Sequence, residues 1–142
     1  MKKVILLLVC LFSMTNLVMA DDDRPVEFNR LPAKAQTFIK SHFRHAAVVK
    51  VEREDDGFEV RMRNGIEIEF GRNGRWKEIT SKREGVPASV IPARIQRQVV
   101  KRYGTHVKVV EISREDGEIE VKLSNGKELE FDRESRRVEE DD

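Results

Sequence analysis

The chain has 142 residues, with 27 Lys+Arg against 26 Asp+Glu, one Cys, one Trp, one Tyr and four Pro. This balance excludes a strongly basic nucleic-acid binder, an integral membrane protein and a chain of several large domains. It leaves a globular fold open. The chain begins with Met1-Lys2-Lys3, continues in an apolar run from Val4 to Phe12, and reaches Val18-Met19-Ala20 before three aspartates. A basic start, a short apolar centre and small residues before a cleavage point read as a secretory signal peptide over 1–20, too short for a membrane span. Cleavage after Ala20 leaves 25 basic and 26 acidic residues, a net charge of −1 over 122 residues, of which 51 are charged. Cys10 lies within the removed segment. The mature chain therefore has no disulfide, thiol nucleophile, iron–sulfur site or cysteine-based zinc site. Val9 stands where a lipoprotein would need a small residue before its cysteine. An exported, unanchored protein of the bacterial periplasm is expected.

The segment 21–28 is an acidic extension, and the remainder matches itself at a spacing of 60 to 61 residues. Asn29 aligns with Ser89, Leu31-Pro32-Ala33 with Ile91-Pro92-Ala93, Gln36 with Gln96 and Phe43 with Tyr103. Further on, Arg53-Glu54-Asp55 aligns with Arg114-Glu115-Asp116, Asn64-Gly65 with Asn125-Gly126, and Glu69-Phe70 with Glu130-Phe131. Two units are expected, at 29–80 and 89–142, joined by a linker at 81–88. In each, Asn29 or Ser89 is placed to cap a helix whose first turn holds a proline. Leu31, Ala35, Phe38, Ile39 and Phe43 recur at the spacing of one helical face, as do Ile91, Ile95, Val99 and Tyr103. The period then drops to two. Val49 and Val51, then Phe58, Val60 and Met62, then Ile66, Ile68 and Phe70 alternate with charged residues. A fourth strand is expected near 75–80 and a weaker one near 136–139.

The turn at Asn64-Gly65 has the look of a two-residue hairpin loop. That register would set Met62 against Glu67 and Val60 against Glu69. A three-residue loop, Arg63-Asn64-Gly65, instead pairs Val60 with Ile68 and Phe58 with Phe70. A shift of one flips every side chain, so the apolar pattern selects the longer loop. In the second copy Ser124-Asn125-Gly126 pairs Val121 with Leu129 and Ile119 with Phe131. One apolar helix face and one apolar sheet face per unit make a two-layer α+β sandwich, its other sheet face open to water. A unit of ~60 residues buries little alone, which favours two units packed together.

The pattern L-P-x-x-x-Q-x-F-I over Leu31–Ile39 and E-V-x-x-x-N-G-x-E-I-E-F-x-x-x-G-x-W over Glu59–Trp76 returns as I-P-x-x-I-Q over Ile91–Gln96 and E-V-K-L-S-N-G-K-E-L-E-F-D over Glu120–Asp132. With the signal peptide and acidic mature start, it resembles the PepSY-like, β-lactamase-inhibitor-like periplasmic family of Bacteroides-type bacteria. The resemblance covers nearly all of the mature chain. It implies an α+β fold of two tandem units, each one helix on a three- to four-stranded antiparallel sheet. It implies little biochemistry. The second copy departs from the first where Ser135 replaces Gly74 and Arg136-Arg137 replaces Arg75-Trp76.

No nucleophile-and-base set, phosphate loop or metal-ligand spacing stands out, so no catalytic residue, metal ligand or cofactor is assigned. His42 and His45 lack a third ligand nearby, and packing at a helix end is the simpler account. Asp55-Asp56-Gly57 and Glu115-Asp116-Gly117 lack the alternating oxygens of a calcium loop and read as hairpin turns. The open sheet face carries more information. In the expected register Arg61 faces Glu67 and Lys122 faces Glu128, while Glu59 faces Glu69 and Glu120 faces Glu130. Like charges directly opposite are unfavourable, yet both copies have them. These eight residues and Trp76 form the candidate interaction face, with Trp76 read first as a cap on the core and otherwise as an interface anchor. The expected function is a non-enzymatic periplasmic binding protein that presents this charged face to a protein partner, as an inhibitor or modulator. The alternative is a small-ligand or metal-ion binding protein of the cell envelope. No nucleic-acid partner and no lasting membrane anchor are expected.

Overall fold

The computed structural model describes residues 24–132 and, as backbone, 137–141. The segment 1–20, expected to be a signal peptide, and Ser135-Arg136 lie outside the described residues. In chain order the elements are β1 (Arg24–Pro25), a 3-10 turn (Phe28–Arg30), α1 (Ala33–His42), β2 (Val48–Glu54), β3 (Gly57–Met62), β4 (Glu67–Gly71) and β5 (Trp76–Thr80). Then follow α2 (Ala93–Tyr103), β6 (Val109–Glu115), β7 (Glu118–Leu123), β8 (Glu128–Phe131) and β9 (Arg137–Asp141). Every strand pairs antiparallel with the next, giving one continuous nine-stranded sheet in the order β1 to β9. Without the two-residue β1 it has eight strands.

This sheet is larger than the separate three- to four-stranded sheets expected from the sequence. The join is the β5–β6 pairing, where Ile79 faces Ile112. Both are fully buried, so separating the strands would expose apolar surface as well as break the backbone ladder. The pairings on either side match residue for residue. Phe58 faces Phe70 and Val60 faces Ile68, as Ile119 faces Phe131 and Val121 faces Leu129. These are the registers that the apolar pattern selects. In the first loop Met62 N–H donates to the Ile66 carbonyl at 2.8 Å, and Asn64 and Gly65 both have left-handed φ, 68° and 76°.

The helices cover one face of the sheet. Leu31, Ala35, Ile39 and Phe43 from around α1, and Ile91, Ile95 and Val99 from around α2, join the inward residues of the strands in one buried cluster. The Phe38 ring packs edge-on to Phe70 at 5.9 Å and lies 6.4 Å from Trp76. Gly57 and Gly74 are required by close approach. A Cβ on Gly57 would sit 1.9 Å from the Phe70 carbonyl oxygen, and one on Gly74, whose φ is +84°, would sit 2.9 Å from Pro32 Cβ.

Two local expectations are corrected, the helix caps and Val49, and further segments gain detail. Asn29 and Ser89 do not cap the helices. Pro32 and Pro92 hold the N-cap positions with extended ψ of 146° and 137°, and no side chain caps them. Instead Gln36 and Gln96 reach back to donate to the carbonyls of Leu31 and Ile91, at 2.8 and 2.9 Å. Val49 does not face the core but is 65% exposed, because a bulge between Val48 and Lys50 turns it outward and Val48 packs inward in its place. The last strand, expected near 136–139, is described over Arg137–Asp141, and Arg136 lies outside the described residues. Finally, part of the acidic extension is pinned. Val26 donates to the Val51 carbonyl at 2.9 Å, and Val26 and Phe28 pack against the core. The connection after β5 is likewise held, since Ser81 and Val86 donate to the carbonyls of Val110 and Val109.

Candidate functional site

Strand alternation sends Val51, Val60, Ile68, Ile79, Ile112, Val121 and Leu129 toward the helices, and their strand neighbours to the other face. On that face the pairing aligns Glu52 with Glu59, Glu59 with Glu69, and Glu69 with Glu78. The row continues through Ser113, which faces both Glu78 and Glu120, and Glu120 faces Glu130. Six carboxylates and one hydroxyl thus form a single file across seven strands, each ~5 Å from the next at Cβ. A second row beside it reads Lys50, Arg61, Glu67, Thr80, Glu111, Lys122 and Glu128.

The central row is not a freely solvated surface. Glu59, Glu120 and Glu130 are only 6%, 9% and 7% exposed. Burial raises the Glu59 carboxyl above its usual range; Arg61, 3.5 Å away, opposes the shift, and Glu67 and Glu52 add to it. Glu69 is pushed up to about 7, first by burial and then by Glu78 and Glu59, with Lys77 opposing. Glu78 also reaches about 7, through burial and then Glu111 and Glu67. Removal from water disfavours the charged form, and each ionised neighbour disfavours it further. Cations lie at the margin. Lys50 meets Glu52 at 3.2 Å, Arg61 also approaches Glu67 at 4.0 Å, and Lys122 approaches Glu128 at 3.8 Å. The accessible side chains of the face include Lys50, Arg61, Glu67 and Lys122, each about half exposed.

The structure brings together eight of the nine residues singled out in the sequence: Glu59, Arg61, Glu67, Glu69, Glu120, Lys122, Glu128 and Glu130. Trp76 lies elsewhere. Regular alternation back from Ile79 would place it beside Glu78 on the acidic face. A bulge between Glu69 and Phe70 shifts the register, so that Trp76 faces Phe70 and is buried on the helix side. Glu52, Glu78, Glu111 and Ser113 were missed, because only the β3–β4 and β7–β8 hairpins had been given a register. The β2–β3 turn offered a usable signal. A two-residue turn at Asp55-Asp56, closed by Gly57, sets Glu52 opposite Glu59.

The remaining candidates are accounted for locally. His42 Nδ1 is hydrogen-bonded to Ser89 Oγ at 2.8 Å, and His45 is exposed. Asp56 pairs with Lys77 at 3.1 Å, and the Asp55 carbonyl accepts from Arg72. Among the described residues no three His, Asp or Glu side chains converge as a metal cluster. Nor is any helix among them long and apolar enough to cross a membrane.

A profile of the family described as "Putative beta-lactamase-inhibitor-like, PepSY-like" matches residues 18–68 and 56–136. The chain belongs to the PepSY-like family. The description of this family names no enzymatic activity. Among solved structures, the PepSY-like chain is similar to a "putative calcium-regulated periplasmic protein" of Bacteroides thetaiotaomicron, at 39% identity and a TM-score of 0.83, covering 87% of this chain and 99% of that one. It is also similar to a "putative periplasmic protein" of Bacteroides vulgatus, at 38% identity and a TM-score of 0.81, with the same coverage. A second B. vulgatus protein, of unknown function, shares 32% identity with a TM-score of 0.78, covering 84% of this chain and 99% of its own. No curated protein matches.

Proposed function

We propose that this PepSY-like protein is a non-enzymatic periplasmic binding protein whose acidic sheet face docks a basic segment of a protein partner and thereby modulates that partner. The single observation that carries this reading is the file of glutamates. Six carboxylates stand in one row, with Lys50, Arg61, Lys77 and Lys122 among the cations beside them. Such an arrangement costs stability in the isolated protein and is relieved by positive charge supplied from outside. Two copies of one unit, 29–80 and 89–142, account for the matching pairings on either side of the β5–β6 join. A signal peptide cleaved after Ala20, and relatives described as periplasmic, support the compartment.

An amine crosslinker applied to the mature protein in periplasmic extract tests this. Lys50 and Lys122 flank the row, so crosslinked peptides should contain them. The double variant Glu67→Lys/Glu128→Lys reverses the rim while leaving the buried row intact. Capture of the same partner should drop at least tenfold, which is about 1.4 kcal/mol. Equal capture by the variant removes the face from the account.

A second reading is a divalent-cation-binding protein, favoured by the likeness to the calcium-regulated relative. Millimolar calcium should then raise the melting temperature by mass action. An unmoved transition sinks it.

A further inference from the structure

At the end of the sheet where Asp56 and Lys77 pair, the β4–β5 loop and the β6–β7 turn border an open cavity of about 650 Å³. Arg75, Trp76, Arg114, Glu115, Asp116 and Ile119 are among its lining residues. Arg114 is two residues from the buried Ile112 on the same strand and so shares its face. Its guanidinium carbon lies 4.0 Å from the centroid of the Trp76 ring, and its Nε donates to the Trp76 carbonyl at 2.9 Å. These two contacts fix the side chain against the sheet and leave its terminal N–H groups unspent among the described residues.

Charge in the cavity is unevenly matched. Lys77 is taken by Asp56 and Arg72 by the Asp55 carbonyl. Arg75 and Arg114 form no ion pair with any described carboxylate, and their mutual repulsion adds to burial in lowering the Arg114 pKa. Two guanidiniums facing one cavity form a planar-oxyanion receptor, since each can donate two parallel N–H bonds to a carboxylate. Glu115 and Asp116 on the same wall oppose a doubly charged group. Ile119, half buried, offers an apolar wall beside the Trp76–Arg114 stack.

We propose that this cavity binds a small monocarboxylate with an apolar body, its carboxylate held between Arg75 and Arg114 and its apolar part against Ile119. This proposal rests on Arg75, Arg114 and Ile119 rather than on the glutamate row, so either reading can fail without the other.

Trp76 is the only tryptophan in the chain, so fluorescence excited selectively at tryptophan, beyond the absorption of Tyr103, reports on this cavity. Titration of the mature protein with phenylacetate should give a saturable change, with acetate binding more weakly for want of an apolar body. Arg75→Gln, at an exposed position, should weaken phenylacetate at least tenfold without altering the thermal transition. Arg114→Lys keeps the charge but loses the planar fork, and should weaken it likewise. Inorganic phosphate is the dianionic control and should compete poorly. Any of three results overturns the proposal: no saturable change up to tens of millimolar phenylacetate, phosphate binding tighter than phenylacetate, or undiminished binding by Arg75→Gln.

Discussion

Glu69 and Glu78 are half protonated near neutrality, where an exposed glutamate would be fully ionised. Their folded pKa of about 7 lies above the ordinary 4.5, so between those values the native state holds more protons than the unfolded chain. Stability therefore falls as pH rises through that window and is greatest below it. The groups acting on this pair are Lys77, which opposes the shift on Glu69, and Glu59, Glu67, Glu111, Glu120 and Asp56, which reinforce one or both. The melting temperature should rise from pH 8 to pH 5, and Glu69→Gln with Glu78→Gln should flatten that slope and stabilise the protein at pH 8. A melting temperature that falls toward pH 5 contradicts the assignment. Gly57 makes a separate point at this scale. Its missing Cβ leaves room for the Phe70 carbonyl, so Gly57→Ala should cost about 2 kcal/mol or more in urea unfolding.

At the scale of elements, the β5–β6 seam decides whether the molecule behaves as one body. Ile79 and Ile112 face each other there, fully buried, and truncating either to Ala should cost about 2–5 kcal/mol. The unfolding transition should stay single in both variants, because one apolar cluster spans the seam. Two resolved transitions would mean that the halves unfold independently. The helices and hairpins were legible in the sequence because period and turn length fix them together. Val60 can meet Ile68 only across a three-residue loop, and Val121 meets Leu129 in the same way. Bulges were not legible. A bulge adds one residue without a compositional mark, so Val49 turned outward and Trp76 turned inward against the alternation. The helix starts misled for another reason. Asn29 and Ser89 suit a cap by type, but the extended Pro32 and Pro92 delay each helix, and Gln36 and Gln96 serve the freed carbonyls.

Across the whole molecule, the polar chain divides its charges by face. One side of a continuous sheet is sealed by two helices, and the other carries a file of carboxylates in which burial and neighbouring charge hold Glu59, Glu69 and Glu78 above the ordinary range. Four of its six carboxylates are legible in the sequence as the pairs Glu59–Glu69 and Glu120–Glu130. Glu52, Glu78 and Ser113 join the file only because β2, β5 and β6 belong to one sheet, which local periodicity does not encode. A cationic partner recruited by such a face should bind more weakly as salt rises, since the outer charges are screened over ~10 Å at 0.1 M. The most direct test is an amide-resolved NMR titration of the mature protein with a lysine- and arginine-rich peptide at low and high salt. Shifts concentrated on residues 50–52, 59–61, 67–69, 120–122 and 128–130, and weakened by salt, are the predicted result. Shifts confined to the helices, or no shifts at either salt concentration, would contradict the claim that this face is where the protein binds.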